Sequence, residues 1–316
     1  MSTLLHTVGH NWHAAVSRSP HCVSIAYLRL LSVLIRSLPE GHFKDRLLNK
    51  IRSVRWPDLG LPPKRVWVTD EIGFLLKPHM GEFDLEALLR RRLTYESPVF
   101  ELLGQRMKQY TAVIEIGANV GVFTMFFAAM FRAQHKSLDQ IFSFEPSDEA
   151  YARLQTNLRS NGFLEVQTFK CALGDRMGIA AFHEPEGHLT NGSLLPAFSS
   201  LFSKDVKRRQ VPVLCGEVLA DLLVDQTRLL IKIDAEGAEP MILRALAPVL
   251  AKWKPDLLIE VLPGWDAELQ HLQVLAEYIP FHITPQGLVR SASVAAGQAT
   301  AGQERDLLLI HKENTP

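Results

Sequence analysis

Apolar positions recur with two different periods along this chain. Between Cys22 and Leu38 the residues Ile25, Leu28, Leu31, Leu34 and Ile35 fall at helical spacing. The stretch from Trp56-Pro57 to Pro62-Pro63 is proline-rich and reads as a linker. Arg65–Thr69 and Gly73–Leu76 flank Asp70–Ile72 as the arms of a hairpin, and helical patterns follow over Phe83–Arg92 and Pro98–Lys108. From Thr111 short apolar runs alternate with helical stretches. The runs Ala112–Ile116, Gln140–Phe144, Val166–Cys171, Leu229–Ile233, Leu257–Val261, Phe281–Thr284 and Leu307–His311 read as strands. Val120–Arg132, Ser147–Leu158 and Ala267–Glu277 read as helices, and Ser147 is placed to cap the second of these. Gly178–Val213 reads as an inserted hairpin and loop, and Ser291–Gln303, rich in Ala, Ser, Gly and Gln, as a loop between the last two strands. Strands alternating with helices predict a mostly parallel sheet covered on both faces.

Composition narrows the choice. The chain has 316 residues, 47% of them hydrophobic, which is enough for a large core. Thirty-four basic residues balance 34 acidic ones, which argues against a general nucleic-acid binder. Cys22, Cys171 and Cys215 lie far apart without CxxC spacing, so neither a disulfide framework nor a zinc site is expected, and a reducing, cytoplasmic setting is the natural reading. His6, His10 and His13 have helical spacing but no accompanying carboxylate or cysteine, so they read as a loose tail and no metal site is expected. Arg29 and Arg36 interrupt the 22–38 segment, which is too short and too charged to span a bilayer and lacks the form of a signal peptide. It reads either as an amphipathic helix docked on the protein or as a helix in peripheral contact with a membrane surface.

The chemistry concentrates at three strand ends. The segment Val113-Ile114-Glu115-Ile116-Gly117-Ala118-Asn119-Val120-Gly121 is a strand, a carboxylate and a glycine turn that opens a helix. In an open α/β sheet ligands bind beyond the carboxyl ends of the strands. Gly117 allows close approach to the backbone, and Gly121 allows the helix to pack tightly on the strand. The pattern lacks the G-x-G-x-x-G that receives a pyrophosphate. An acid at this turn suits an ammonium group instead. Phe142-Ser143-Phe144-Glu145-Pro146 ends the next strand, where a carboxylate can accept both hydroxyls of a ribose. Lys232-Ile233-Asp234-Ala235-Glu236-Gly237-Ala238-Glu239-Pro240 closes a third. Lys232 in a central strand needs a counter-ion, for which Glu115 is a candidate, and Glu239 can equally cap the following helix.

These segments resemble the FkbM-type methyltransferases. That family shows D-x-G-A-N-x-G-x-F/Y-S/T, F-E-P, A-x-G-D and K-x-D-x-E-G-A/W-E in this order. The chain has EIGANVGVFT, FEP, Ala172-Leu173-Gly174-Asp175 and KIDAEGAE, with Tyr95-Glu96 ahead of them and Glu115 where Asp is commoner. The resemblance spans roughly residues 65 to 311.

The resemblance implies a class I methyltransferase Rossmann-like fold: a seven-stranded, mostly parallel sheet with helices on both faces and an antiparallel last strand. Here it would carry an N-terminal helical extension, 1–62, before a methyltransferase domain, 63–316. It implies S-adenosyl-L-methionine as methyl donor. Glu115, Gly117, Ala118, Asn119 and Gly121 would surround the methionine part. Glu145 would bind the ribose, Ala172 and Leu173 would lie against the adenine, and Asp234 and Glu236 would face the reacting end. Crowded carboxylates raise one another's pKa, so Asp234 or Glu236 is the candidate general base, with cofactor positioning as its alternative role. The expected acceptor is a hydroxyl of a sugar, glycan or secondary metabolite, and no nucleic-acid partner is expected. A nicotinamide-dependent oxidoreductase and a non-catalytic S-adenosylmethionine-binding module are the competing readings. In the insertion, His183, His188, Asn191 and Ser193 read first as loop residues that can shape an acceptor pocket, and Lys204, Lys207, Arg208 and Arg209 as a solvated basic run.

Overall fold

Leu28, Leu31 and Ile35 fall on one side of helix α1 (His21–Ser37), and their burial against two later helices explains the helical period of that segment. The partners are Leu48 and Ile51 of α2 (His42–Arg52) and Leu85 and Leu89 of α3 (Phe83–Arg90). Between α2 and α3 a short antiparallel hairpin joins β1 (Lys64–Trp67) to β2 (Gly73–Leu76). These elements belong to the first of two units into which the chain divides, Met1–Ser97 and Pro98–Pro316. The computed structural model describes residues 21–52, 60–77, 83–94, 96–186, 191–224, 227–264, 266–295 and 305–314. His6, His10, His13, Trp56-Pro57, Tyr95, His188 and most of the Ser291–Gln303 segment lie outside them.

The second unit opens with α4 (Ser97–Arg106) and then alternates strand and helix. Its main elements are β3 (Ala112–Ile116), α5 (Val122–Ala133), β4 (Ile141–Phe144), α6 (Asp148–Asn161) and β5 (Gln167–Phe169). The short β6 (Ala172–Gly174), β7 (Gly178–Pro185), the single turn α7 (Pro196–Ser199) and β8 (Val206–Cys215) follow. Then come β9 (Leu229–Ile233), α8 (Glu239–Ala245), α9 (Ala247–Trp253), β10 (Asp256–Glu260), β11 (Tyr278–Thr284), β12 (Gly287–Arg290) and β13 (Asp306–His311). Ser147 does cap α6, accepting the Ala150 amide at 3.5 Å, and Gly162 in the left-handed region ends it.

The main sheet has the order β12-β11-β13-β10-β9-β3-β4-β5. Neighbours from β10 to β5 are parallel, and β13 runs antiparallel to both β10 and β11. This is the class I methyltransferase arrangement. Strands β3, β4 and β9 are buried at every position, as a sheet covered on both faces requires. On one face Ile114, Ile231 and Leu257 pack with Ile242, Leu243 and Val249 of α8 and α9. On the other, Glu115 and Lys232 meet Thr124 and Phe123 of α5.

Two expectations need correction. The sheet has eight strands rather than seven, because β11 turns back through Pro285-Gln286 and adds β12 at the edge. Ala267–Glu277 does not form a helix but two 3₁₀ turns, Leu269–His271 and Gln273–Leu275. Its large apolar residues Leu269, Leu272 and Leu275 repeat every three residues, the 3₁₀ period. The inserted segment forms the β7–β8 hairpin, which with β6 makes a separate three-stranded sheet.

Candidate functional site

The chain leaves β3 for β4 and β5 on one flank and returns to β9 on the other. The carboxyl ends of β3 and β9 therefore bound the crevice where the order reverses. Their approach is close. The Asp234 amide donates to Ile116 O at 3.0 Å, and a Cβ added at Gly117 would sit 1.7 Å from Asp234 O. Gly117 has φ +84°, so no other residue fits that turn. The amides of Gly117 and Ala118 both donate to Phe144 O at 3.0 Å, which ties the turn to β4. Gly121 works differently from expectation. A Cβ there would meet Leu154 Cδ1 at 2.3 Å, so it permits α5 to approach α6 rather than a strand.

Asn119 also lies in the left-handed region, at φ +51°, a conformation that asparagine adopts more readily than most residues. Its amide donates to Glu145 Oε2 at 2.7 Å, while the Ser147 amide donates to Glu145 Oε1 at 2.7 Å. One buried carboxylate thus joins the glycine turn to the start of α6. Burial pushes the Glu145 carboxyl up to about 7 against the pull of these two amides. Asn119 Oδ1 is buried and has no hydrogen-bond partner among the described residues.

Glu115 lies one layer beneath the turn, only 1% exposed. It accepts from Thr124 Oγ1 at 2.5 Å and Ser143 Oγ at 3.1 Å. Burial raises its carboxyl to about 7, opposed by the Lys232 charge and both hydroxyls. The register places Glu115 beside Lys232 on β9, yet the Lys232 ammonium donates to Asp234 Oδ2 at 2.9 Å, just past the end of its own strand. That ammonium also lies 4.4 Å from the Phe123 ring centroid.

Beyond Asp234 the acids crowd. One oxygen each of Asp234, Glu236 and Glu260 lies within 4.8 Å of the others. Glu260 ends β10 and is paired in register with Asp306, which opens β13. Arg305 approaches Glu260 at 3.9 Å. Burial, then the Asp234 and Glu239 charges, raise the Glu236 carboxyl well above the usual carboxylate range. Burial likewise lifts Asp306 to about 6 and Glu239 to about 7. Glu239 is the innermost of these, accepting the amides of Ala235 at 2.9 Å and Gly237 at 3.3 Å, which makes it the clasp of its own turn.

The inserted hairpin reaches this cluster. Ser193 Oγ donates to Glu236 O at 2.7 Å and Asn191 Nδ2 to Glu236 Oε1 at 3.4 Å. Glu236 itself is held at φ +52°. Ser193 and His183 exchange backbone hydrogen bonds at 2.8 and 3.0 Å, and a Cβ on Gly192 would strike the Phe182 ring at 2.6 Å. The hairpin is anchored through Glu184, which accepts from Ser147 Oγ at 2.7 Å and Arg209 Nε at 2.6 Å.

Thus Gly117, Ala118, Asn119 and Glu145 stand at the ends of β3 and β4, Asp234 and Glu236 follow the end of β9, and Glu115 lies beneath them. Gly121 lies at the start of α5, against Leu154 of α6. Leu173 sits in the main apolar core and Ala172 in a small cluster with Phe182, Val211 and Val213. Glu260 and Asp306 were missed by sequence reasoning. Each is a lone acid at a strand terminus, and only the antiparallel register of β10 and β13 brings them together.

Residues 74–261 match the model of a family described as Vibrio cholerae RfbT protein. No curated protein matches the sequence. Solved structures with related folds include methyltransferase FkbM from Methylobacillus flagellatus KT (16% identity, TM-score 0.39, 64% of this chain). The present chain spans 44% of that protein's length. A rRNA methylase from Streptococcus thermophilus matches at 12% identity and TM-score 0.37, covering 68% of this chain and 93% of that one. Precorrin-6y C5,15-methyltransferase from Geobacter metallireducens GS-15 matches at 14% and 0.35, covering 69% and 87%.

Proposed function

From the premise that the chain belongs to the family described as Vibrio cholerae RfbT protein, we propose that it is an S-adenosyl-L-methionine-dependent methyltransferase acting on a hydroxyl of a sugar, glycan or secondary metabolite. The four ordered motifs that resemble FkbM-type enzymes support the same reading. One observation carries it: at the crevice, a carboxylate and a buried amide oxygen are left with unused acceptor capacity. A carboxylate has about four lone-pair sites. Glu145 spends two on the amides of Asn119 and Ser147, which leaves capacity for two ribose hydroxyls. Asn119 Oδ1, buried and without a hydrogen-bond partner among the described residues, suits an ammonium or hydroxyl donor. The donor set therefore fits a cationic nucleoside. Ala172 and Leu173 have their side chains taken up by packing, so main-chain atoms are what they offer the adenine.

S-adenosylmethionine, when bound, supplies a methyl carbon already activated by its sulfonium. The protein's part is alignment, exclusion of water and removal of the acceptor proton. Glu115 and Asp234 give the crevice its negative charge, and Lys232 fixes the Asp234 carboxylate at 2.9 Å. Glu236 is the general base. Its half-buried, crowded carboxyl is raised well above the usual carboxylate range, and among the described residues Asn191 Nδ2 donates to it at 3.4 Å. It accepts the hydroxyl proton as the acceptor oxygen attacks.

Titration calorimetry with S-adenosylmethionine and its demethylated product tests the cofactor. Binding should weaken by roughly tenfold to a hundredfold in Glu145→Gln, the loss of charge-assisted bonds. No heat from either ligand on folded protein would sink the assignment. Incubation with methyl-labelled cofactor and a panel of sugars and polyols then tests the acceptor class.

A further inference from the structure

We propose that the outward face of α1 docks on an anionic lipid surface. The inference stands apart from the reading of the crevice and does not depend on it. While Leu28, Leu31 and Ile35 pack inward, the opposite side of the helix is also apolar: Leu30 is 65% exposed, Val33 55% and Leu34 46%. With exposed Ala26 and Ser37 they form one continuous strip at i, i+3 and i+4 spacing. At the start of α2, Phe43 is 67% exposed. A soluble helix with a single docking face carries mostly polar residues on its far side; here Leu30, Val33 and Leu34 stand there, edged by Arg29 and Arg36.

Charge chooses the occupant. Arg29 and Arg36 are exposed along one edge of the strip. Neither makes an ion pair among the described residues. Across α1, α2 and the turn between them, six lysines and arginines face two acids, Glu40 and Asp45. Both acids are already engaged: Glu40 with Lys44 and Arg90, each at 2.7 Å, and Asp45 with Arg90 at 3.1 Å. A chain whose formal charge is zero therefore concentrates positive charge around this exposed apolar strip. Apolar side chains flanked by arginines are what an interfacial helix presents to anionic headgroups. No helix among the described residues is long and apolar enough to cross a membrane, so the contact is one of lying on the surface.

The test is sedimentation of the full chain with vesicles of phosphatidylcholine alone and of phosphatidylcholine containing about one-third phosphatidylglycerol. Binding should favour the anionic vesicles and fall as salt is raised. Arg29→Glu with Arg36→Glu should weaken it by about tenfold or more, each charge near the surface counting for roughly fivefold. Leu30→Asp with Leu34→Asp should abolish it. Both positions are exposed, so circular dichroism and the melting temperature should stay at the parent level and separate lost docking from lost folding. Equal binding to both vesicle types, or to neither, overturns the proposal. A dimer in solution that the Leu30/Leu34 variant dissociates also overturns it, because the strip then covers a second copy. Binding gained only after removal of residues 1–20 assigns the strip to that segment instead.

Discussion

Strand β10 carries a carboxylate at each end, and the two ends have opposite surroundings. At the start, Asp256 has a fully buried side chain. It accepts from Arg106 and Arg228, each at 3.1 Å, and from Tyr110 Oη at 2.7 Å. Charge and hydrogen bonds are satisfied, with two guanidinium groups on one acid. At the far end Glu260 joins Asp234 and Glu236, where Lys232 pairs with Asp234 and Arg305 approaches Glu260. A buried charge is costly unless paired, so the first end is arranged for folding. The second is left with excess negative charge beside a crevice, an arrangement that a cationic ligand would complete.

Four measurements would break or sharpen this contrast. Asp256→Ala leaves two half-buried guanidinium groups without their shared acid and should cost about 3 kcal/mol in denaturant unfolding. S-adenosylmethionine affinity of the folded fraction should hold; a matching loss of affinity would erase the division of labour. Glu236→Gln should do the reverse. Methyl transfer should fall by about 10²–10⁴-fold while stability stays level or rises, since one of the crowded charges has gone. Unchanged turnover across the pH range would remove Glu236 from the chemistry.

The third concerns pH. Glu115, Glu145 and Glu239 are raised from 4.5 to about 7, so the folded protein holds protons there that the unfolded chain has released. That contribution to stability is complete below pH 4.5 and is lost as pH rises through about 7. A cationic ligand prefers the ionised acids, so its affinity should rise about tenfold between about pH 6 and about pH 8 while the melting temperature without ligand declines. Parallel trends in the two would contradict the assignment. The smallest effect belongs to Ser193→Ala. It removes the hydroxyl that holds the Glu236 carbonyl and should cost about 1 kcal/mol in unfolding. Turnover should slow with little change in cofactor affinity.

The readable part of this molecule was the local part. β3, the glycine turn and α5 announce themselves within a dozen neighbouring residues, because a buried strand, a left-handed turn and a helix start each impose a residue type on their own position. The F-E-P and K-I-D-A-E-G strand ends follow the same logic. What escaped was set by distant partners. Lys232 was matched to Glu115 across the strands, and its charge does act on that carboxyl, but its hydrogen bond to Asp234, just past the end of its own strand, was not foreseen. Gly121 was assigned to the strand, whereas the crowding comes from Leu154, on a helix formed later in the chain. The four residues of β12 alternate weakly at a solvent-exposed edge, so nothing in their pattern marked an eighth strand.

Glu145 grips the amides of Asn119 and Ser147, so the glycine turn is tied to the start of α6 by the protein's own atoms. Bonds within the chain thus brace this wall of the crevice, and under the proposed function an arriving nucleoside should meet a braced turn instead of a loop still to be ordered. Its capture should be fast, with little loss of chain entropy and no slow rearrangement step afterwards.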